Sequence, residues 1–140
     1  MPAPAVPAAR ASRSPETMPS VTELRTAHTA DLAPGTLTAI RDLMNAVFDG
    51  VSDDTFDNAL GGLHALLSED GELIAHGSVV QRRLLHGGRA LRTGYVEGVA
   101  VHPAHRRHGH GGTVMAELER IIQAAVGQLG GPQRTGRSAP

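Results

Sequence analysis

The chain has 140 residues, 40% of them apolar and 2% aromatic, with a formal net charge of -1. That length suits one domain with a real core and is short for two. The near-neutral balance gives no ground for a nucleic-acid or anionic-membrane partner. The absence of cysteine excludes a disulfide framework, a thiolate nucleophile and cysteine-ligated zinc.

The aromatic residues are Phe48, Phe56 and Tyr95, so Val, Leu, Ile and Ala must supply the core. Residues 1–20 are rich in Pro, Ala and Ser and contain no continuous apolar stretch of the secretory kind. They read as a disordered leader, and a cytoplasmic location is expected. A strand is expected over Val21 to Thr26. Asp31, Pro34 and Thr36 then open a helix that carries Leu37, Ile40, Leu43, Met44 and Val47 at spacings of three and four, ending near Gly50. Ser52 is an N-cap for a short second helix, stopped by Gly61 and Gly62.

A strand-rich block follows. Leu63 to Leu67 and Leu73 to Leu85 are strands around the hairpin turn Glu69-Asp70-Gly71-Glu72, where Asp-Gly suits positive backbone φ. The turn His86-Gly87-Gly88-Arg89 leads to a third strand, Ala90 to Val101. It is apolar on both faces, as in a sheet covered on both sides, and Pro103 ends it. In the last helix Val114, Met115, Leu118, Ile121, Ile122, Ala125 and Val126 share one face, and Gly127 and Gly130 are expected to break it. Residues 131–140 offer no core-forming side chain and read as an irregular tail. The domain is therefore expected over residues 21–130.

Chemistry concentrates between Tyr95 and Val126. A buried strand feeds the loop Arg106-Arg107-His108-Gly109-His110-Gly111-Gly112, and the last helix follows at once. Glycines at such a turn let backbone N–H groups approach a ligand. A helix N-terminus adds unpaired donors and the positive end of its dipole, and the two arginines add fixed charge. The expectation is an anion site, of the kind that takes a phosphate. No G-x-G-x-x-G is present, and the chain has no lysine with which a P-loop could grip phosphate.

Arg106-x-x-Gly109-x-Gly111 resembles the acetyl-CoA signature of the GNAT N-acetyltransferases, placed after a strand and before a helix as in that family. Within the superfamily, Gly61-Gly62-Leu63-His64-Ala65-Leu66, Ile74-Ala75-His76, Gln81-Arg82-Arg83-Leu84 and Gly94-Tyr95-Val96-Glu97-Gly98-Val99-Ala100-Val101 resemble the aminoglycoside 2'-N-acetyltransferases. The resemblance runs from about Val21 to Gly130. It implies an α/β (α+β) GNAT fold, a mostly antiparallel mixed sheet flanked by helices. It also implies direct transfer of acetyl from acetyl-CoA to the 2'-amine of a cationic aminoglycoside, an antibiotic-resistance activity. By the family pattern, Val99, Ala100 and Val101 would pair with the pantetheine arm and the acetyl carbonyl. Arg106, Arg107, His108, Gly109, His110 and Gly111 would hold the pyrophosphate. Glu97 and Gly98 would meet the substrate, with Glu97 as the catalytic carboxylate accepting a proton through water.

Two departures from the pattern bear on this expectation. The family's G-D-F-[ST]-x-x-D-W after the first helix is Gly50-Val51-Ser52-Asp53-Asp54-Thr55-Phe56 here, one residue shorter. Asp53 and Asp54 stand either in place of the missing acids or simply as first-turn acids complementing the helix dipole. Further strands and a helix of the GNAT fold, with the usual tyrosine acid, would follow where the tail stands. The chain therefore reads as C-terminally truncated, with impaired activity expected. Three functions stay open: an active aminoglycoside acetyltransferase, alone or completed by a second copy as a homodimer; a GNAT for another small amine; and a non-catalytic remnant that binds CoA weakly or self-associates through an unpaired sheet edge.

Eight histidines raise the question of a metal. His102, His105, His108 and His110 are close in sequence, but two arginines interrupt them and no carboxylate lies in the run, so no metal is expected. His64 and His76 read as partly buried structural residues. Glu97 has an ordinary alternative, a strand carboxylate paired with an arginine such as Arg83 or Arg92.

Overall fold

A computed structural model describes residues 21–129 and 134–137. The expected leader and the rest of the expected tail lie outside these residues. Strand β1 spans Thr22–His28, helix α1 Pro34–Phe48, and helix α2 Asp53–Asn58. Strands β2 (Leu63–Glu69), β3 (Glu72–His86) and β4 (Arg89–Val101) follow, then helix α3 (His110–Leu129) and strand β5 (Arg134–Arg137). The sheet order is β1-β2-β3-β4-β5, with every pair antiparallel except β4 and β5, which are parallel.

Local chemistry accounts for most boundaries. Pro34 occupies the first turn of α1, where its missing N–H has no acceptor to lose. Asp31 closes a 3-10 turn over Thr29–Asp31 instead of capping α1. Ser52 caps α2 as expected, its hydroxyl accepting from the Thr55 amide at 3.1 Å. Both hairpins turn through residues at positive φ, Asp70 (51°) with Gly71 (85°) and Gly87 (58°) with Gly88 (78°), the pairing that matches strand twist.

Two differences from expectation concern the C-terminal elements. Gly127 was expected to break the last helix, yet α3 runs through it to Leu129; one glycine costs only about 1 kcal/mol against alanine. Arg134–Arg137, read from sequence as irregular, form β5 opposite Thr93–Val96. A strand at a sheet edge is held by backbone hydrogen bonds, which need no apolar side chain.

Alternation along the strands divides two cores. Leu66 and Ala100 pack with Leu32 and with Ile40, Leu43 and Met44 of α1. Ala65, Leu67, Ala75 and Val96 pack with Val114, Leu118 and Ile122 of α3. The sheet is therefore covered on both faces, α1 on one and α3 on the other. Gly77 sets how closely α3 approaches: a Cβ there would lie 2.8 Å from Leu118 Cδ1 and 2.9 Å from Val114 Cγ1.

Candidate active site

The decisive local feature is a bulge in β4. Ser78 faces Glu97 and His76 faces Ala100, so three residues of β4 span what two residues of β3 span. Gly98 takes the strained position at φ 60°, the geometry in which a bulge favours glycine. A Cβ on it would meet Ala59 Cβ at 3.2 Å, His76 Cε1 at 3.3 Å and Met44 Cε at 3.4 Å. The extra residue reverses the side-chain parity, so Val96 before the bulge and Val99 beyond it both pack with the α3 core. On the other edge of β4, pairing with β5 covers Thr93–Val96 and stops at Val96. Among the described residues no strand pairs with that edge of β4 from Glu97 to Val101. Backbone N–H and C=O groups on that edge of Glu97 to Val101 are therefore left without a strand partner among the described residues.

Glu97 stands at the start of this open edge with 6% of its surface exposed. An arginine does stand beside it, but it is Arg82 and not Arg83 or Arg92. Those two face each other across the β3–β4 ladder as exposed residues. Arg82 is four residues from Ser78, hence on the same face, and its Nη2 lies 3.5 Å from Glu97 Oε1. The same nitrogen donates to the Asn58 carbonyl at 3.1 Å, and the guanidinium sits 5.7 Å from the Tyr95 ring centroid. The contact with Glu97 is long and single. It leaves Oε2 without a hydrogen-bond partner among the described residues, so most of the carboxylate's accepting capacity stays open. Asp53, by contrast, pairs with Arg41 at 2.7 Å in the first turn of α2.

Behind the bulge runs a hydrogen-bond chain that the strand pattern alone did not reveal. Thr29 Oγ1 is 2.6 Å from His64 Nε2, His64 Nδ1 is 2.8 Å from His76 Nε2, and His76 Nδ1 is 2.8 Å from the Gly98 carbonyl. Both histidines are fully buried, where partial burial was expected. The directions follow from valence. A carbonyl only accepts, so His76 Nδ1 carries a proton; neutral His76 then accepts at Nε2 from His64 Nδ1–H. His64 Nε2 in turn accepts from the Thr29 hydroxyl, which itself accepts from the Gly61 amide at 2.9 Å. Burial, with His64 as a like-charge neighbour, lowers His76 from 6.5 to about 3. Burial, with His28 nearby, lowers His64 to about 4. Both rings are neutral at pH 7, as the chain requires.

The loop expected to take phosphate lies beyond the C-terminal end of β4. Arg106 and Arg107 are exposed and form no ion pair among the described residues. Arg107 (φ 69°) and Gly109 (φ 78°) turn the chain into α3, which begins at His110. The Thr113 amide and hydroxyl both donate to the Gly109 carbonyl, at 3.0 and 3.2 Å. The amides ahead of Thr113 therefore sit in a first helical turn, where no intrahelical acceptor exists. His108 is exposed, while His110 and Gly111 are half-buried. Free guanidinium groups, a helix N-terminus and an open strand edge are thus consecutive along one stretch of chain, from Glu97 to Gly111.

The comparisons with known proteins accord with this arrangement. The model of the Acetyltransferase (GNAT) family matches residues 32–130. A curated aminoglycoside 2'-N-acetyltransferase of Mycolicibacterium fortuitum is 45% identical over 107 residues, covering 76% of this chain and 54% of the relative. The chain thus spans about half the length of that curated relative. An acyl-CoA N-acyltransferase structure from Pseudomonas aeruginosa is 26% identical with a TM-score of 0.56, covering 76% of this chain and 71% of that one. An aminoglycoside N-acetyltransferase, AAC(6')-Iy, solved in complex with CoA, shares the fold at 16% identity with a TM-score of 0.57, over 88% of this chain and 80% of that one. A bulged β4, an arginine- and glycine-bearing turn into α3 and a family match over 32–130 lead to one assignment: the chain belongs to the GNAT acetyltransferase family.

Proposed function

We propose that this protein is an N-acetyltransferase that moves the acetyl group of acetyl-CoA to an amine, specifically the 2'-amine of an aminoglycoside. The observation that carries the reading is the bulge at Gly98, which sets a buried carboxylate beside an open strand edge leading to the anion-binding turn. Substrate class is supported by the 45% identity to the aminoglycoside 2'-N-acetyltransferase of M. fortuitum.

In this reading the backbone of Val99, Ala100 and Val101 pairs with the pantetheine arm as a strand partner would. Backbone N–H groups on that edge polarise the acetyl carbonyl as negative charge develops on its oxygen. Arg106, Arg107, His108 and the first amides of α3, from Gly109 to Gly111, hold the pyrophosphate. Glu97 attracts the cationic substrate beside Gly98 and accepts, through a water, the proton that the ammonium must lose before its nitrogen attacks the thioester. The C–N bond forms as the C–S bond breaks, and the thiolate leaves as CoA.

Release of free thiol from acetyl-CoA, with and without an aminoglycoside bearing a free 2'-amine, tests the proposal. Amine-dependent release is expected, to fall by about 100-fold or more in Glu97→Gln. A second reading, CoA binding without turnover, draws on Tyr95. It is the chain's single tyrosine and lies against Arg82, two residues before Glu97 on β4. Retained CoA binding, lost in Arg106→Ala, with no thiol release would establish that reading instead.

A further inference from the structure

The histidines around the β4–α3 turn lack a carboxylate in sequence, but the tertiary structure supplies one. Glu69 is the last residue of β2, His105 closes the 3-10 turn Pro103–His105 after β4, and His110 is the first residue of α3. One ligand-capable atom from each lies within 4.8 Å of the other two, and all three residues are half-buried. We infer that Glu69, His105 and His110 form a binding site for a divalent transition-metal ion of the zinc type.

Three features carry the inference. First, none of these side chains has a hydrogen-bond or ion-pair partner among the described residues, although each is half withdrawn from water. Their donor atoms are not among the buried unpartnered ones, so they stay reachable from solvent and free to exchange water for a shared cation. Second, the donors are two imidazole nitrogens and one carboxylate oxygen. Magnesium and calcium take oxygen sets, whereas two histidines with one glutamate suit zinc, with a fourth position left to water. Third, the donors need only a small adjustment. Tetrahedral zinc with bonds of about 2.0–2.1 Å spaces its ligands roughly 3.3 Å apart, within reach of side-chain rotation from the present separations.

The neighbouring charge does not forbid the ion. Arg106 and Arg107 stand exposed to solvent, where their charge is screened, and neither pairs with Glu69. His102 is already engaged, its Nδ1 accepting from the Ala104 amide at 3.1 Å, and it meets His105 edge-on at 5.6 Å between ring centroids. His108 flanks His110 at 5.7 Å. These two histidines surround the site without completing it. A bound ion would tie the β2–β3 hairpin to the start of α3, a link that the described hydrogen bonds do not make. The inference stands independently of acetyl transfer.

The test is zinc titration of the full chain, free of any histidine tag, by calorimetry, with cobalt(II) absorption reporting geometry. One equivalent is expected to bind, with the stronger visible bands of a four-coordinate cobalt site. Glu69→Gln, His105→Gln and His110→Gln should each weaken binding by about tenfold or more, while His102→Gln and His108→Gln leave it nearly unchanged. Circular dichroism of the metal-free variants should match that of the parent protein, since all three side chains are half-exposed. No binding at micromolar zinc would overturn the proposal. So would undiminished binding in Glu69→Gln, which would make the loop histidines an ordinary surface chelate.

Discussion

His76 Nδ1 lies 2.8 Å from the carbonyl oxygen of Gly98, so a fully buried imidazole on β3 holds the residue that bulges β4. The carbonyl would otherwise be a half-buried acceptor at the bulge. That carbonyl fixes the tautomer of His76, His76 fixes that of His64, and His64 orients the Thr29 hydroxyl, so the shape of the open strand edge rests on side chains from three neighbouring elements.

Replacing that imidazole should disturb both stability and the site. His76→Ala leaves the Gly98 carbonyl and the His64 Nδ1–H unpaired and opens a cavity. Together these are expected to destabilise the fold by about 2–4 kcal/mol in urea unfolding. CoA affinity should fall as well, because the edge from Glu97 to Val101 loses its fixed geometry. His76→Gln, which can still donate to Gly98, should lie between the two. Unchanged stability in His76→Ala would refute the role given to the chain.

The same histidines predict acid sensitivity. Their folded pKa values, about 3 and about 4, lie below the unfolded value of 6.5. The unfolded state therefore binds more protons between these limits, and stability rises with pH across that window. Contributions complete above pH 6.5 are lost as pH falls toward 3, with roughly 3 kcal/mol from His76 alone between pH 7 and pH 4. Glu117, lowered to about 2 by hydrogen bonds from Arg120 and then Thr26, adds a loss below its unfolded value of 4.5. Thermal melts from pH 7 to pH 4 should show a steep fall, and a much shallower one in His64→Gln/His76→Gln.

Gly98 and Gly71 both have positive φ, but only one is enclosed. Gly98→Ala meets three side-chain atoms at 3.2–3.4 Å as well as backbone strain, whereas Gly71 has nothing within 4 Å of a new Cβ. Gly71→Ala should cost about 1 kcal/mol through backbone conformation alone, and Gly98→Ala about 2–3 kcal/mol. Equal costs in unfolding measurements would argue against the tight packing around the bulge.

Gly77 provides a test by double mutation. Gly77→Ala drives a methyl against Leu118 Cδ1 at 2.8 Å and Val114 Cγ1 at 2.9 Å, an overpacking worth about 1–3 kcal/mol. Leu118→Ala removes one of the two obstructing groups. The double variant should therefore be more stable than the sum of the single losses implies, by about 1 kcal/mol. Strict additivity would mean that α3 does not rest on Gly77.

Among the details of the site, legibility followed the range of the interactions. The Ser52 cap, the two hairpin turns and the run from Tyr95 to Val101 depend on residues within a few positions of one another, so their chemistry is visible in one dimension. The partner of Glu97 was not: Arg82, Arg83 and Arg92 are equally arginines in sequence, and only the register Ser78↔Glu97 places Arg82 on the right face. Likewise Glu69 is 36 residues from His105 by their numbers, and nothing local marks it as a neighbour.

By itself, then, the sequence determined the sheet-and-helix order from β1 to α3, the glycines that turn the chain and the positive turn into α3, because propensity, periodicity and backbone conformation are set by near neighbours. Tertiary structure alone decided that β4 bulges against Gly77, that His64 and His76 join end to end behind it, and that Glu69 meets two histidines. Those outcomes depend on strand register and on which face a side chain takes, and register is settled only when both sides of the sheet have packed.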